Sequence, residues 1–410
     1  TGDTGTVIRL LRQARGWTQQ QLADRSGYSQ ATISRLERQV SRAARDTAVL
    51  IDIAGALGVL PAVLGVAGIP GQGHILDNVD RRQFFGGAAG LTVMALLPQA
   101  VAIPGRIGAA EVTQCWAGLR RLTELAAQHG GGAVCQVAEG IAQRLQDALR
   151  QGSYLPSVGR ELQKVTASAM AQTAYLAYDA GWPQRARRWW LETCHFADVN
   201  DVPDVRVRAL VTMALQANRA GDGREALELV HAARHTPNHD QAQNPVLLSL
   251  FAAREAVGHA QLGDRTAAST AMDQAHQWLD HGRRGDEPFW LSFCGSADLA
   301  MHETRVALAT RQSGFAETAA RNALADVDAV LFPRNRTFYA ANLGAILIQR
   351  GQLDEAISVT SQAIQAVHTV RMSGLVIADL HRTVDLLEQQ KYPPATTFAT
   401  AARRLLPTVA

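Results

Sequence analysis

The sequence predicts an all-α protein built from more than one domain. Apolar residues recur at helical spacing along most of its 410 residues, with no convincing strand pattern. Five segments of the C-terminal three-quarters share a glycine-to-alanine spacing that marks helix hairpins. The composition, 47% hydrophobic and 19% charged, is that of a globular protein, and the length exceeds one ordinary core. The longest uncharged apolar run, Gly86 to Leu97, has twelve residues. A membrane-spanning helix needs roughly 20.

The first element is VIRLLRQARG, with apolar residues at helical spacing up to Gly16. Thr18 is placed to cap the second, TQQQLADRSG, whose Leu22 and Ala23 face inward. Gly27 supplies the turn. Ser29 then caps SQATISRLERQ, with Ile33 and Leu36 turned to the core, so two short helices meet across a glycine. DTAVLIDIAGALG follows from Asp46, and Pro61 opens a last short turn. Residues 1–65 hold eight Arg and five acidic residues, and the rest of the chain is balanced. The whole positive excess sits in this head.

The string TQQQLADRSGYSQATISRLE resembles the XRE class of helix-turn-helix domains, the group of the lambdoid repressors. One departure is Arg38-Gln39, where that class closes the helix with glycine. The resemblance implies that the third helix lies in a DNA major groove. Gln30, Ala31, Ser34 and Arg35 are then the base-reading residues, since glutamine pairs with adenine, arginine with guanine, and alanine meets a thymine methyl. Gln19, Thr32 and Arg42 or Arg45 are the candidates for phosphate contacts, which fix register.

DRRQFFGGAAGLTVMALLPQAVA, Asp80 to Ala102, reads in isolation like an export signal. Its place between a DNA-reading head and the repeats predicts instead a linker helix over 80–97, ended by Pro98 and Pro104. Arg81 and Arg82 would touch phosphate or pair with Asp77 and Asp80. The expected organisation is a head over 1–68, a linker over 69–110 and a helical repeat domain over 111–410.

In the repeats, DAGWPQRA, RAGDGREA, QLGDRTAA, QSGFAETA and QRGQLDEA place Gly181, Gly221, Gly263, Gly314 and Gly351 five residues before an alanine. Seven residues before each glycine stands Ala174, Ala214, Ala256, Ala307 or Gly344. Small residues let two helices approach, and glycine turns the chain. The pattern resembles elongated tetratricopeptide repeats, with intervals of 40, 42, 51 and 37 residues, and further hairpins are expected over 111–150 and 373–407. Trp182, Trp189, Trp190, Trp278 and Trp290 read as core or inter-helix filler.

That resemblance implies a right-handed superhelix whose concave face is lined by the first helix of each hairpin. Nine residues before the glycines stand Gln172, Thr212, Arg254, Arg305 and Asn342, a polar column among apolar neighbours. Tyr175, Tyr178, Arg208, Asn218 and Phe338 adjoin it by register. Guanidinium and amide groups in such a column suit an extended peptide or an acidic small molecule.

Enzyme chemistry finds no foothold: GxxxxGK, HExxH and GxSxG are absent. His231, His235 and His239 are spaced by four, but Pro237 interrupts them, so a surface cluster is expected rather than a metal site. Asp198, Asp201 and Asp204 read as caps. Cys115, Cys135, Cys194 and Cys294 form no CxxC pair and suggest a reducing cytoplasm, beside the nucleoid. No cofactor is expected.

The order of parts resembles the XRE regulators with tetratricopeptide-like C-terminal domains of actinomycetes, including the stretch DEPFWLSFCGSADLA. More distantly it resembles the peptide-responsive quorum-sensing regulators called RRNPP. The resemblance implies a homodimer on a palindromic double-stranded operator, with half-sites roughly 34 Å or a multiple apart. A peptide or small-molecule signal would control operator binding. The alternatives are a regulator whose repeats bind another protein, or a membrane-tethered or exported scaffold.

Overall fold

The computed structural model describes residues 4–14, 17–38, 47–57, 64, 107–237, 243–370 and 372–407. The chain divides into two compact units, residues 1–104 and 105–410. The linker helix expected over 80–97, with Arg81 and Arg82, lies outside the described residues.

The N-terminal unit contains α1 (Thr4–Ala14), α2 (Gln19–Ser26), α3 (Gln30–Glu37) and α4 (Thr47–Ala56). Thr18 caps α2 through a reciprocal pair of bonds with Gln21, and Ser29 caps α3 by accepting from the Thr32 amide. Gly27, at φ 77, makes the turn between them. Leu22, Ile33, Leu36, Ile53 and Leu57 form one buried core with Ile8 and Leu11. Arg38, where a glycine was missing, ends α3 in a right-handed conformation and bonds back to Leu36 and Ser34 carbonyls.

The second unit is a run of fourteen helices in seven hairpins among the described residues. They are α5 (Ala109–His129) with α6 (Cys135–Gln151), α7 (Pro156–Asp179) with α8 (Pro183–Val199), α9 (Pro203–Ala220) with α10 (Gly223–Arg234), and α11 (Pro245–Gln261) with α12 (Arg265–Asp280). The last three are α13 (Ser296–Ala309) with α14 (Ser313–Asp326), α15 (Pro333–Gln349) with α16 (Leu353–Val370), and α17 (Gly374–Glu388) with α18 (Pro393–Leu405). Proline opens α7, α8, α9, α11, α15 and α18, where its missing N–H goes unneeded. Each hairpin packs against the next.

The predicted turn register holds in four hairpins and slips in one. Gly181, Gly221, Gly263 and Gly351 all have φ between 75 and 87. The amide of the residue after each bonds a carbonyl five residues earlier: Trp182 to Ala177, Asp222 to Ala217, Asp264 to His259 and Gln352 to Leu347. In the fourth hairpin the equivalent bond is Gln312 to Ala307, at 2.8 Å, and the left-handed residue is Arg311, at φ 60. Gly314 lies inside α14 instead. Counted from Arg311, the buried alanine five residues on is Ala316, the small residue seven before is Thr304, and the column residue nine before is His302. Arg305 therefore stands one helical turn beyond the column in which its spacing from Gly314 placed it.

The two ends of the hairpin stack meet. Helix α5 touches α15 and α16, and α7 touches α17. At the seam the Gly132 amide bonds the Met372 carbonyl at 2.9 Å, and the Met372 amide bonds the His129 carbonyl at 3.2 Å. The backbones come so close that a Cβ on Gly130 would lie 2.2 Å from the Ser373 nitrogen, and one on Gly374 2.2 Å from the Ala180 oxygen. Buried Asp179 ties the seam together. It accepts from the Gly131 amide at 2.6 Å, the Ser373 hydroxyl at 2.8 Å and Arg334 Nε at 2.8 Å.

Candidate functional site

On the N-terminal unit, the exposed face of α3 carries Gln30, Ala31 and Arg35. Ser34 and Thr32 are half-buried beside them. Gln30 Nε2 donates to Gln19 Oε1 at 3.2 Å, and Gln19 Nε2 donates to Glu37 at 2.9 Å. Glu37 is buried and accepts from Arg12 Nε at 2.6 Å and Nη2 at 2.9 Å, a fork that fixes α3 to α1. A chain of bonds thus runs from the buried ion pair to the side chain at the start of α3. Arg35 Nε folds back onto the Ala31 carbonyl at 3.2 Å, and Arg38 covers Ser34 through a 2.7 Å bond to its hydroxyl. Arg42 and Arg45 lie outside the described residues.

The second unit contains a partly open cavity of about 130 Å³. Its helical walls are the first helices of the hairpins alone: α5, α7, α9, α11, α13, α15 and α17. Eight of the ten predicted concave residues line it, namely Gln172, Tyr175, Tyr178, Arg208, Thr212, Arg254, Arg305 and Phe338. The other two do not. Asn218 is buried between hairpins with Nδ2 donating to the Arg254 carbonyl at 3.0 Å, and Asn342 Nδ2 donates to the Phe338 carbonyl at 2.8 Å within its own helix. Both amides satisfy backbone.

Polar order inside the cavity is dense. Arg208 donates to the Gln172 side-chain oxygen. The His302 Nδ1 lies 2.8 Å from the Asp298 carbonyl, which assigns the proton to Nδ1 and leaves Nε2 to accept from Arg254 Nη1 at 2.6 Å. Burial, then Arg254 and Arg305, hold the His302 pKa well below the usual range, so the ring is neutral. Burial pushes the Asp298 carboxyl up, against the pull of Arg254 and Arg305. Burial also lowers Arg208 to about 9 and Arg305 to about 10, the latter helped by Arg219 and Arg254. Arg334 pairs with Asp179, and Arg219 with Asp379 at 3.1 Å.

The segment between α12 and α13 supplies one side of the cavity through Trp290, Ser292 and Phe293. Arg283 ties this segment down by donating to the carbonyls of Leu291, Ser292 and Cys294. Trp290 thus packs against the core and also lines the cavity, whereas Trp190 is fully buried, 5.6 Å from the Tyr178 ring. Sequence reasoning missed His302, Asp298, Asp179, Arg219 and Arg334. The first stands nine residues before the turn that Arg311 makes, a turn that no glycine marks in the sequence.

Other expected chemistry is placed as follows. Among the described residues no group of three or more His, Cys, Asp or Glu is arranged to hold a metal. His231 and His235 stack at 4.0 Å, and His239 lies outside the described residues. Burial pushes the Cys194 thiol up to about 11, which suits packing and not nucleophilic attack. No described helix is long and apolar enough to cross a membrane.

Residues 8–64 match the helix-turn-helix family. No curated protein matches the chain. The N-terminal unit is thus a helix-turn-helix domain of the XRE type, followed by a large all-helical region of paired helices. Here α2 and α3 are the two motif helices, and in helix-turn-helix domains generally the second motif helix is the one that enters the DNA major groove. Such a domain points to a DNA-binding transcriptional regulator rather than an enzyme.

Proposed function

We propose that the protein is a sequence-specific transcriptional regulator, in which the paired helices form a tetratricopeptide-like superhelix that senses a peptide or small-molecule signal. The observation that carries the DNA half of the proposal is the exposed face of α3, where Gln30, Ala31 and Arg35 project from a helix held by the Arg12–Glu37–Gln19 chain. Gln30 and Arg35 read adenine and guanine edges, Ala31 meets a thymine methyl, and Ser34 supports them. Gln19 and Thr32 at the helix start contact phosphate, together with Arg42 or Arg45. The protein acts as a homodimer on a palindromic operator in the cytoplasm, and signal binding changes the spacing of its two heads by favouring one arrangement. A concave pocket walled by seven helices and lined by arginines and aromatic rings supports a sensed ligand over a pure protein scaffold.

The test is titration of labelled duplex DNA with the full chain over a range of salt. Affinity should fall steeply as salt rises, and for an operator selected from random sequence Arg35→Ala should relax the preference at one base pair by about 1–3 kcal/mol. Salt-independent binding, or equal losses on every sequence, would sink the reading.

A further inference from the structure

We propose that the cavity receives a compact organic oxyanion, a carboxylate or phosphate on a flat apolar body, held by Arg208, Arg254 and Arg305. The proposal rests on the reading of the helical domain as a signal receptor and names the chemistry of its signal.

Two kinds of arginine line this cavity. Arg334 and Arg219 each meet a buried carboxylate, Asp179 and Asp379, so their charge is spent on holding the fold. The other three have no such partner. Arg208 bonds the neutral Gln172 amide, and Arg254 bonds the neutral His302 ring. Those partners orient a guanidinium without neutralising it. Arg254 is 3% exposed, and its Nε is buried with no hydrogen-bond acceptor. Arg305 makes no hydrogen bond or ion pair among the described residues, and its guanidinium rests 5.9 Å from the Phe338 ring centroid.

Asp298 is the one lining carboxylate not already committed to an arginine, and among the described residues it comes within ion-pair distance of His302 alone. Three desolvated cations therefore face one carboxyl whose ionisation burial opposes. Gathering like charges out of water is unfavourable, and an entering oxyanion removes that cost while forming charge-assisted bonds. A neutral ligand leaves it in place.

Shape and walls set the rest of the molecule. Arg219, Arg305 and Arg334 all lie within 5.2 to 5.9 Å of the Phe338 centroid, so an anion bound at Arg305 sits beside an aromatic surface. Arg208 lies 5.6 Å from the Trp290 ring. A volume of about 130 Å³ is close to the roughly 150 Å³ that admits benzene. A single flat ring or the end of a peptide fits.

Calorimetric titration of the full chain with benzoate, phenyl phosphate and neutral benzamide tests this. One or both anions should bind at least tenfold tighter than benzamide, and the tighter of the two assigns carboxylate or phosphate. Arg305→Gln should weaken the anion at least tenfold with a melting temperature no lower than that of the unaltered chain, and Arg305→Lys should recover part of the loss. Equal binding of benzamide and benzoate by the unaltered chain would overturn the proposal without any variant, as would full benzoate affinity in Arg305→Gln. Salt-sensitive DNA binding by a preparation that takes neither anion refutes the anion site and leaves the regulator standing; anion binding without DNA binding does the reverse.

Discussion

At the scale of single residues, the N-terminal domain depends on one buried ion pair. Burial alone would raise the Glu37 pKa, but hydrogen bonds from Arg12 and Gln19 outweigh it and hold the pKa below the ordinary value. A depressed carboxyl stabilises the fold above its unfolded pKa of about 4.3, and the benefit is lost as pH falls through the folded value. Thermal unfolding of the N-terminal domain should therefore move to lower temperature as pH falls below about 5. Glu37→Gln should cost about 3 kcal/mol near neutrality, because Arg12 stays buried without its counter-charge, and should flatten that acid dependence. The exposed residues Gln30, Ala31 and Arg35 were legible because the helix-turn-helix string is contiguous. The Arg12–Glu37 pair was not, since nothing in a lone arginine and a lone glutamate 25 positions apart marks them as partners.

At the scale of elements, the hairpins were legible because each is local: a small residue, a turn and an alanine within thirteen positions. The fourth failed for an equally local reason. Its turn is made by Arg311 in the left-handed region, where a side chain is strained, while a nearby Gly314 offered a false landmark. Arg311→Gly should therefore stabilise the helical domain, by about 0.5 kcal/mol or more in denaturant titration, since glycine takes that conformation freely. Gly314→Ala, inside a helix with only the Arg350 side chain near its Cβ, should stabilise by a similar amount through helix propensity. If the turn were at Gly314, the second substitution would destabilise instead.

At the scale of the whole molecule, the helical domain is held at a seam between its first two and last two hairpins. That seam was invisible in the sequence because the glycine run 130–132 and Ser373-Gly374 share no period and stand far apart along the chain. Asp179→Asn removes the counter-charge of Arg334 there and weakens its bonds to Gly131 and Ser373. The variant should lose about 3 kcal/mol, and hydrogen exchange should rise together in α5 and α17. Faster exchange in α7 alone would show that Asp179 acts locally. Asp179 and Arg334 also line the cavity, so the contact that closes the stack borders the proposed ligand.

The same seam bears on how the chain is made. In an open array of repeats each hairpin can dock on its predecessor as it leaves the ribosome. Here Gly132 emerges roughly 240 residues before its partner Met372, an interval of about 12 to 50 s at ordinary elongation rates. Until Arg334 and Ser373 are made, the early hairpins present a glycine-lined edge to the cell and Asp179 lacks both of those partners. The cavity lacks the walls that α15 and α17 supply until the final hairpins arrive, so the proposed ligand site is completed only at the end of synthesis.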